Sequence, residues 1–178
     1  MIGDYPLLYW PCHFLKKGGS MIESLKIGSL IWRHVTNPDE EDFKFLRENF
    51  HFHPLDIEDC KSANQRPKID IYDDYYFLIL QYPNFDRQNR FIRTKEVKFF
   101  WGREYIITIE KSAWYVSQLF NEYQERDPQE LSDNIRTSDI LLYRIFEKLM
   151  KESLYLLKKE GLDLELINRE LFGSKQVK

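Results

Sequence analysis

A chain of 178 residues that is 43% hydrophobic and 16% aromatic can bury one sizeable core, and its 31% charged residues place that core under a well-solvated surface. A formal net charge of -3, with no basic run interleaved with aromatics, argues against nucleic acid as a partner. Two cysteines, Cys12 and Cys60, are too few for a disulfide framework and favour a reducing, intracellular setting.

No stretch approaches the roughly 18 consecutive apolar residues of a membrane helix. The best candidate, Leu7 to Leu15, is short and contains Pro11 and His13. Lys16 and Lys17 follow it rather than precede it, which is the wrong order for a signal peptide. The first twenty residues end in Gly18-Gly19-Ser20 and are expected to be a non-native or disordered extension. Met21 is the expected natural start, with one domain over residues 21–178.

Ser29 to Trp32 predicts a short strand. Asn37-Pro38 followed by four acids predicts a helix start, with Asn37 as cap and Pro38 in the first turn. Phe43, Leu46 and Phe50 supply its apolar stripe, and the helix is expected to end near Asn49. The continuous apolar run Tyr75 to Tyr82 predicts a central strand covered on both faces. Asn84 to Asn89 is turn-like. Thr94 to Trp101 and Tyr105 to Glu110, joined across Gly102-Arg103, predict a β-hairpin. Ala113 to Arg126 predicts a helix whose buried stripe is Trp114, Val116 or Leu119, Phe120 and Tyr123, stopping near Pro128.

Thr137 or Ser138 then caps a long helix. Leu142, Ile145, Phe146, Leu149, Leu156 and Leu157 keep helical period, and Leu164, Ile167 and Leu171 continue it past a kink or break at Gly161. Early strands, late helices and an antiparallel hairpin predict an α/β fold: an αβα sandwich with a mixed sheet, ending in a long helix.

No phosphate loop and no nucleophile elbow is present. Chemistry concentrates in Phe52-His53-Pro54-Leu55-Asp56-Ile57-Glu58-Asp59-Cys60, Asn64-Gln65-Arg66-Pro67-Lys68 and Tyr72-Asp73-Asp74-Tyr75. Three readings of it stand open. One is capping and turn chemistry. Another is a hard-cation site, because Mg²⁺ keeps most of its waters and needs only one or two carboxylates, which Glu58 and Asp59 supply. The third is a zinc site from His51, His53 and Cys60, which lacks a matching second ligand pair.

His53-Pro54-Leu55, Ile57-Glu58-Asp59, Gln65-Arg66-Pro67-Lys68-Ile69 and Tyr72-Asp73-Asp74-Tyr75 with Phe77 resemble, in order and spacing, the signature of CorA-type magnesium transporters. Tyr105 to Ile109 is similar to that family's second hairpin strand. Leu141-Leu142-Tyr143-Arg144 through Leu171-Phe172 resembles the long helix leading toward its stalk, so the resemblance spans Leu25 to Phe172. It implies a regulatory domain, not an enzyme, on the cytoplasmic side of a cell-membrane protein that carries magnesium, with cobalt or nickel as further cargo. It also implies a homopentamer, and two membrane helices bearing a Gly-Met-Asn filter. Neither the filter nor the helices occur here, so the chain is expected to be a pore-less fragment or relative.

In the family, Mg²⁺ bound between neighbouring cytoplasmic domains holds the channel closed. The matching positions are Asp59 for one site and Glu58 with Glu147 for a second. Glu147 stands where the family more often has Asp, and Lys151 replaces an acidic position, which weakens the second site, while the resemblance puts the first site's partner carboxylate in the stalk; with half of each ligand set missing, Mg²⁺ is expected to bind weakly to the isolated domain. Within the same fold, a zinc-transporting relative is the alternative. Outside it stand a metal-dependent hydrolase built on Glu58, Asp59 and His53, and a stand-alone interaction module.

Overall fold

The structure is a computed structural model that describes residues 22–86, 89, 91–112 and 115–172, with the side chains of 160, 162–163 and 165–172 outside the description. The expected extension over residues 1–20 and the start at Met21 lie outside the described residues.

The chain opens with a hairpin, β1 (Ile22–Ile27) and β2 (Leu30–Thr36), whose turn places Gly28 at φ 60°, a left-handed conformation that suits glycine. Two helices follow, α1 (Glu40–Asn49) and α2 (Pro54–Lys61). Then come the edge strand β3 (Lys68–Ile71), the long pair β4 (Tyr75–Asp86) and β5 (Phe91–Gly102), and β6 (Tyr105–Glu110). Helices α3 (Tyr115–Gln124), α4 (Pro128–Asn134) and α5 (Ser138–Phe172) complete it.

The six strands lie in the order β1-β2-β6-β5-β4-β3. The β2–β6 pair is parallel and every other pair antiparallel, so the sheet is mixed. Alternation along each strand feeds two cores. Trp32, Val97, Phe99 and Ile106 face α3, α4 and α5, whereas Val35, Phe77, Phe100 and Ile107 face α1 and α2. Both faces are therefore covered, and the expected αβα sandwich is the observed fold.

Local chemistry departs from expectation at five places. The cap of α1 is Asp39, which accepts from the N–H groups of Glu41 and Asp42 while Asp42 accepts from that of Asp39. This reciprocal box outcompetes the Asn37-Pro38 start, and Asn37 instead takes a left-handed turn at φ 51°. Asn84 is a strand residue paired with Arg93, because the long β4–β5 ladder overrides the turn propensity of Asn84 to Asp86. Pro128 does not simply stop a helix but opens a new one, α4, capped by Asp127.

The fourth departure is in α5, which runs unbroken through Gly161 for 35 residues, about 52 Å. Gly161 faces open space, so its helix cost is not compounded by a clash or a neighbour that would kink the chain. Leu142, Ile145, Leu149 and Leu156 are buried as expected, while Leu157 and Leu164 are 70% and 66% exposed and are not part of the core stripe. Trp114 of the predicted α3 stripe lies outside the described residues, and Val116, Leu119, Phe120 and Tyr123 are buried. The β5–β6 turn is Arg103-Glu104, one residue later than predicted. Gly102 closes β5, where a Cβ would sit 2.3 Å from the Tyr105 ring.

One polar network crosses the α3 side of the sheet. His34 on β2 is 1% exposed; its Nε2 lies 2.7 Å from Ser117 Oγ and its Nδ1 2.8 Å from Thr108 Oγ1. Ser117 Oγ donates to Glu110 Oε2 (3.0 Å), and Tyr82 donates to Glu110 Oε1 (2.9 Å). A neutral ring with its proton on Nε2 satisfies this chain: Nε2–H donates to Ser117, and Nδ1 accepts from Thr108. Burial pushes the His34 pKa down to about 4.

The unfolded chain takes up a proton on His34 near pH 6.5, and the folded one only near 4. The His34 contribution to stability is therefore complete above about pH 6.5 and is lost as pH falls from there to about 4, by roughly 3 kcal/mol. Chemical denaturation across this window should show the loss for the parent chain and a flatter profile for His34→Gln. Equal slopes for the two would remove His34 as the cause.

Candidate metal centre

The signature folds as a short helix fastened to the sheet. His53 caps α2: its Nδ1 accepts from the Leu55 N–H (3.3 Å), and Pro54 occupies the first turn. Ile57 and Cys60, three apart, are fully buried and set the inward face. Asp56 lies beside them at 1% exposure. Tyr75 donates to Asp56 Oδ2 (2.8 Å) and Tyr72 to Asp56 Oδ1 (3.1 Å), while the Tyr75 oxygen accepts from the His53 N–H (2.8 Å). Burial raises the Asp56 carboxyl pKa, and the bonds from Tyr75 and Tyr72 oppose that rise.

The expected ligands are distributed between two layers. Asp59 and Glu58 sit on the outward side of α2. Glu58 is exposed, and its carbonyl receives the Ser62 N–H (3.1 Å) and hydroxyl (3.2 Å) at the helix end. The Asp59 side chain is 24% exposed and forms an ion pair with Lys68 of β3 (2.7 Å). Glu147 is on α5, across the sheet. It pairs with Lys151 (3.0 Å) and Arg144 (3.2 Å), which hold its carboxyl below the usual carboxylate range. It borders a cleft of about 480 Å³ between α3, α4 and α5, which also receives Glu122, Arg126, Glu130 and Lys148.

A single copy thus brings Glu58 and Asp59 together and keeps Glu147 apart. Among the described residues, no group of three His, Cys, Asp or Glu side chains is placed to hold a metal ion. Mg²⁺ retains water and needs few protein ligands, so the hard-cation reading of Glu58 and Asp59 does not require a third ligand from the same copy.

The zinc reading fails on geometry. Cys60 is 0% exposed in the core under α2, and burial pushes its thiol pKa up, away from the thiolate zinc requires. His53 Nδ1 is committed to the helix cap, and its ring stacks on Tyr72. The hydrolase reading fares no better, since Asp59 is held by Lys68 and His53 Nδ1 by its cap.

Two contributors were missed by sequence reasoning. Asp56 was grouped with its acidic neighbours, although the Ile57–Cys60 spacing marks the inward face and two tyrosines downstream can satisfy a buried carboxylate. Lys68 stands in the signature with no role assigned to it, and nothing local in the sequence identifies Asp59 as its partner.

A six-stranded mixed sheet between helical layers, run out into one long helix, is the fold of the soluble domain of CorA from Methanocaldococcus jannaschii. The two align with a TM-score of 0.69 at 19% identity over 82% of this chain and 56% of that one. The chain belongs to the CorA-like Mg²⁺ transporter protein family, whose model matches residues 28–178. YfjQ of Bacillus subtilis, a candidate metal ion transporter, is 39% identical over 77 residues, 43% of this chain and 23% of that protein. The cobalt/magnesium transport protein CorA of Thermotoga maritima is 22% identical over 142 residues, 79% of this chain and 40% of that protein. The chain spans less than half the length of either relative. No helix among the described residues is long and apolar enough to cross a membrane.

Removing the Asp56 carboxylate strands one buried hydroxyl, that of Tyr75, and one half-buried, that of Tyr72. Asp56→Ala should cost about 2–4 kcal/mol and lower the thermal midpoint by roughly 5–10 °C in circular-dichroism melting. Asp56→Asn, which can still accept from one tyrosine, should cost less. An unchanged midpoint for the alanine variant would show that Asp56 does not brace α2.

Proposed function

We propose that this chain is the cytoplasmic regulatory domain of a divalent-cation transporter, in which Mg²⁺ held between neighbouring copies favours the closed state. The observation carrying this reading is the outward presentation of Glu58 and Asp59 on a firmly braced helix, with Glu147 on the opposite side of the same copy. An ion shared between the α2 and α5 faces therefore calls for two copies. Membership of a family described as Mg²⁺ transporters supports the ion class. In this reading the copies form a homopentamer whose membrane helices lie beyond these 178 residues. The transported ion is a divalent cation, of which Mg²⁺ and Co²⁺ are named for the Thermotoga relative.

Carboxylates facing one another across a subunit boundary repel when bare, and a divalent ion turns that repulsion into a bridge. Coupling of ~1–3 kcal/mol per site is ordinary for allostery. Equivalent sites around a ring together exceed the ~5.5 kcal/mol that moves a state from 1:99 to 99:1. Weak individual sites suit a sensor, which must empty when the ion becomes scarce.

In the intact transporter, Asp59→Ala should leave transport active and raise the internal Mg²⁺ needed for half-closure by at least about fivefold. Flux assays at graded internal Mg²⁺ measure this, and loss of transport with an unchanged closing concentration would overturn the assignment. Calorimetry on the 178-residue chain alone should find only weak Mg²⁺ binding, because each ligand set is incomplete. Submicromolar affinity in the monomer would contradict sharing between copies.

A further inference from the structure

Lys68 holds two carboxylates at once. Its Nζ lies 2.7 Å from Asp59 Oδ2 on α2 and 2.6 Å from Asp70 Oδ2 two residues along β3. The ammonium also sits 5.3 Å from the centre of the Phe77 ring, which positions the stem against the sheet. The three side chains are between 24% and 37% exposed, so water and ions reach them. A lysine that is 35% exposed and bonded to two carboxylates is a cation at neutral pH.

Two acids drawn onto one centre is the arrangement a bound cation imposes, and here the cation belongs to the chain. Resting on the reading of Asp59 as an ion ligand, we propose that Lys68 is a tethered counter-cation that occupies the Asp59 carboxylate when no divalent ion is present and must be displaced for one to bind.

Asp70 makes the exchange feasible. A lysine leaving Asp59 keeps its second carboxylate, so displacement strands no unpaired charge against the sheet. The tether keeps the competitor beside Asp59 at a high effective concentration whatever the ionic composition of the medium. Lys68 thereby weakens ion binding at Asp59 and sets the concentration at which the site fills. It also neutralises Asp59 in the empty state, which softens the repulsion expected of bare carboxylates at a subunit boundary.

The test uses the 178-residue chain with Mn²⁺ as a paramagnetic probe, read by broadening of backbone amide resonances around Asp59. In Lys68→Met, which retains the stem over Phe77 and loses the charge, half-broadening should need roughly three- to tenfold less Mn²⁺ than in the parent chain. Lys68→Arg keeps the charge and should stay close to the parent, and added Mg²⁺ should reverse the broadening in each. Lys68→Gln replaces the methionine variant if the latter does not fold. Asp59-dependent broadening with the same midpoint in parent and neutral variant would overturn the counter-cation and leave Asp59 as a ligand. Absence of broadening near Asp59 in every variant would overturn both. Only a lowered midpoint in the neutral variant, abolished by Asp59→Asn, supports the proposal.

Discussion

The carboxylate of Asp56, buried under two tyrosine hydroxyls, is the contact on which the candidate site depends. α2 has only eight residues, too short to hold a helical shape by itself, so its geometry comes from what it is fastened to. Tyr75, first residue of β4, bonds both the Asp56 side chain and the backbone at the His53 cap, fixing the first turn of α2 to the sheet at two points. The last turn is held from the other side: Lys98, 3% exposed, donates to Ser62 O (2.7 Å), and Lys111 donates to Lys61 O (2.9 Å). Cations at the carbonyl end and a carboxylate in the first turn both complement the helix dipole. Clamped at both ends, α2 leaves Glu58 and Asp59 little freedom except in their own side chains.

Charge neutralisation at the proposed ligands follows one pattern with different means. Asp59 is matched by Lys68 from another element, and Glu147 by Arg144 and Lys151 on its own helix. The i,i+3 and i,i+4 pairs around Glu147 are exposed and individually weak, so an incoming ion displaces them at small cost. The Lys68 pair is more enclosed and shared with Asp70, so it resists displacement more. Glu58 engages no side-chain partner among the described residues and is free to turn toward a neighbour.

Much of this architecture was legible in the residue pattern, and the failures share a cause. The Phe43, Leu46, Phe50 stripe, the β5–β6 hairpin and the buried face of α3 declare themselves because periodic burial leaves a periodic signal. The signature was legible through its resemblance to a family, and that resemblance singled out Asp59 as a candidate ligand; its place on the outward side of α2 is a finding of the structure. Which acids point inward was not read, because burying Asp56 depends on Tyr72 and Tyr75, sixteen and nineteen residues away. The cap of α1 was misplaced by two residues, since Asn37-Pro38 and Asp39 carry equal local propensity and only the reciprocal bond from Asp42 separates them. Leu157 and Leu164 keep the helical period of α5 and yet lie exposed, because helical period says which residues share a face, not what covers it.

Both layers are tied to β5, whose Lys98 holds the end of α2 and whose Trp101 Nε1 donates to Ser138 Oγ of α5, and also to β4. Its first residue, Tyr75, anchors α2, while Leu78 packs in the core beneath α5 and Tyr82 reaches Glu110 in the network with Ser117 of α3. Its neighbour β5 is paired with it along the full length from Phe91 to Gly102, and Phe77, Ile79, Phe99 and Phe100 are entirely buried. Bending such a strand would open a close-packed interior on both faces at once, which is far costlier than the ~1–3 kcal/mol an ion site supplies. In the proposed reading, an ion at Asp59 leaves the shape of the sheet alone and acts on the distance between this rigid body and the next copy; the doubly clamped α2 and the unbroken α5 supply the stiffness that this reading requires.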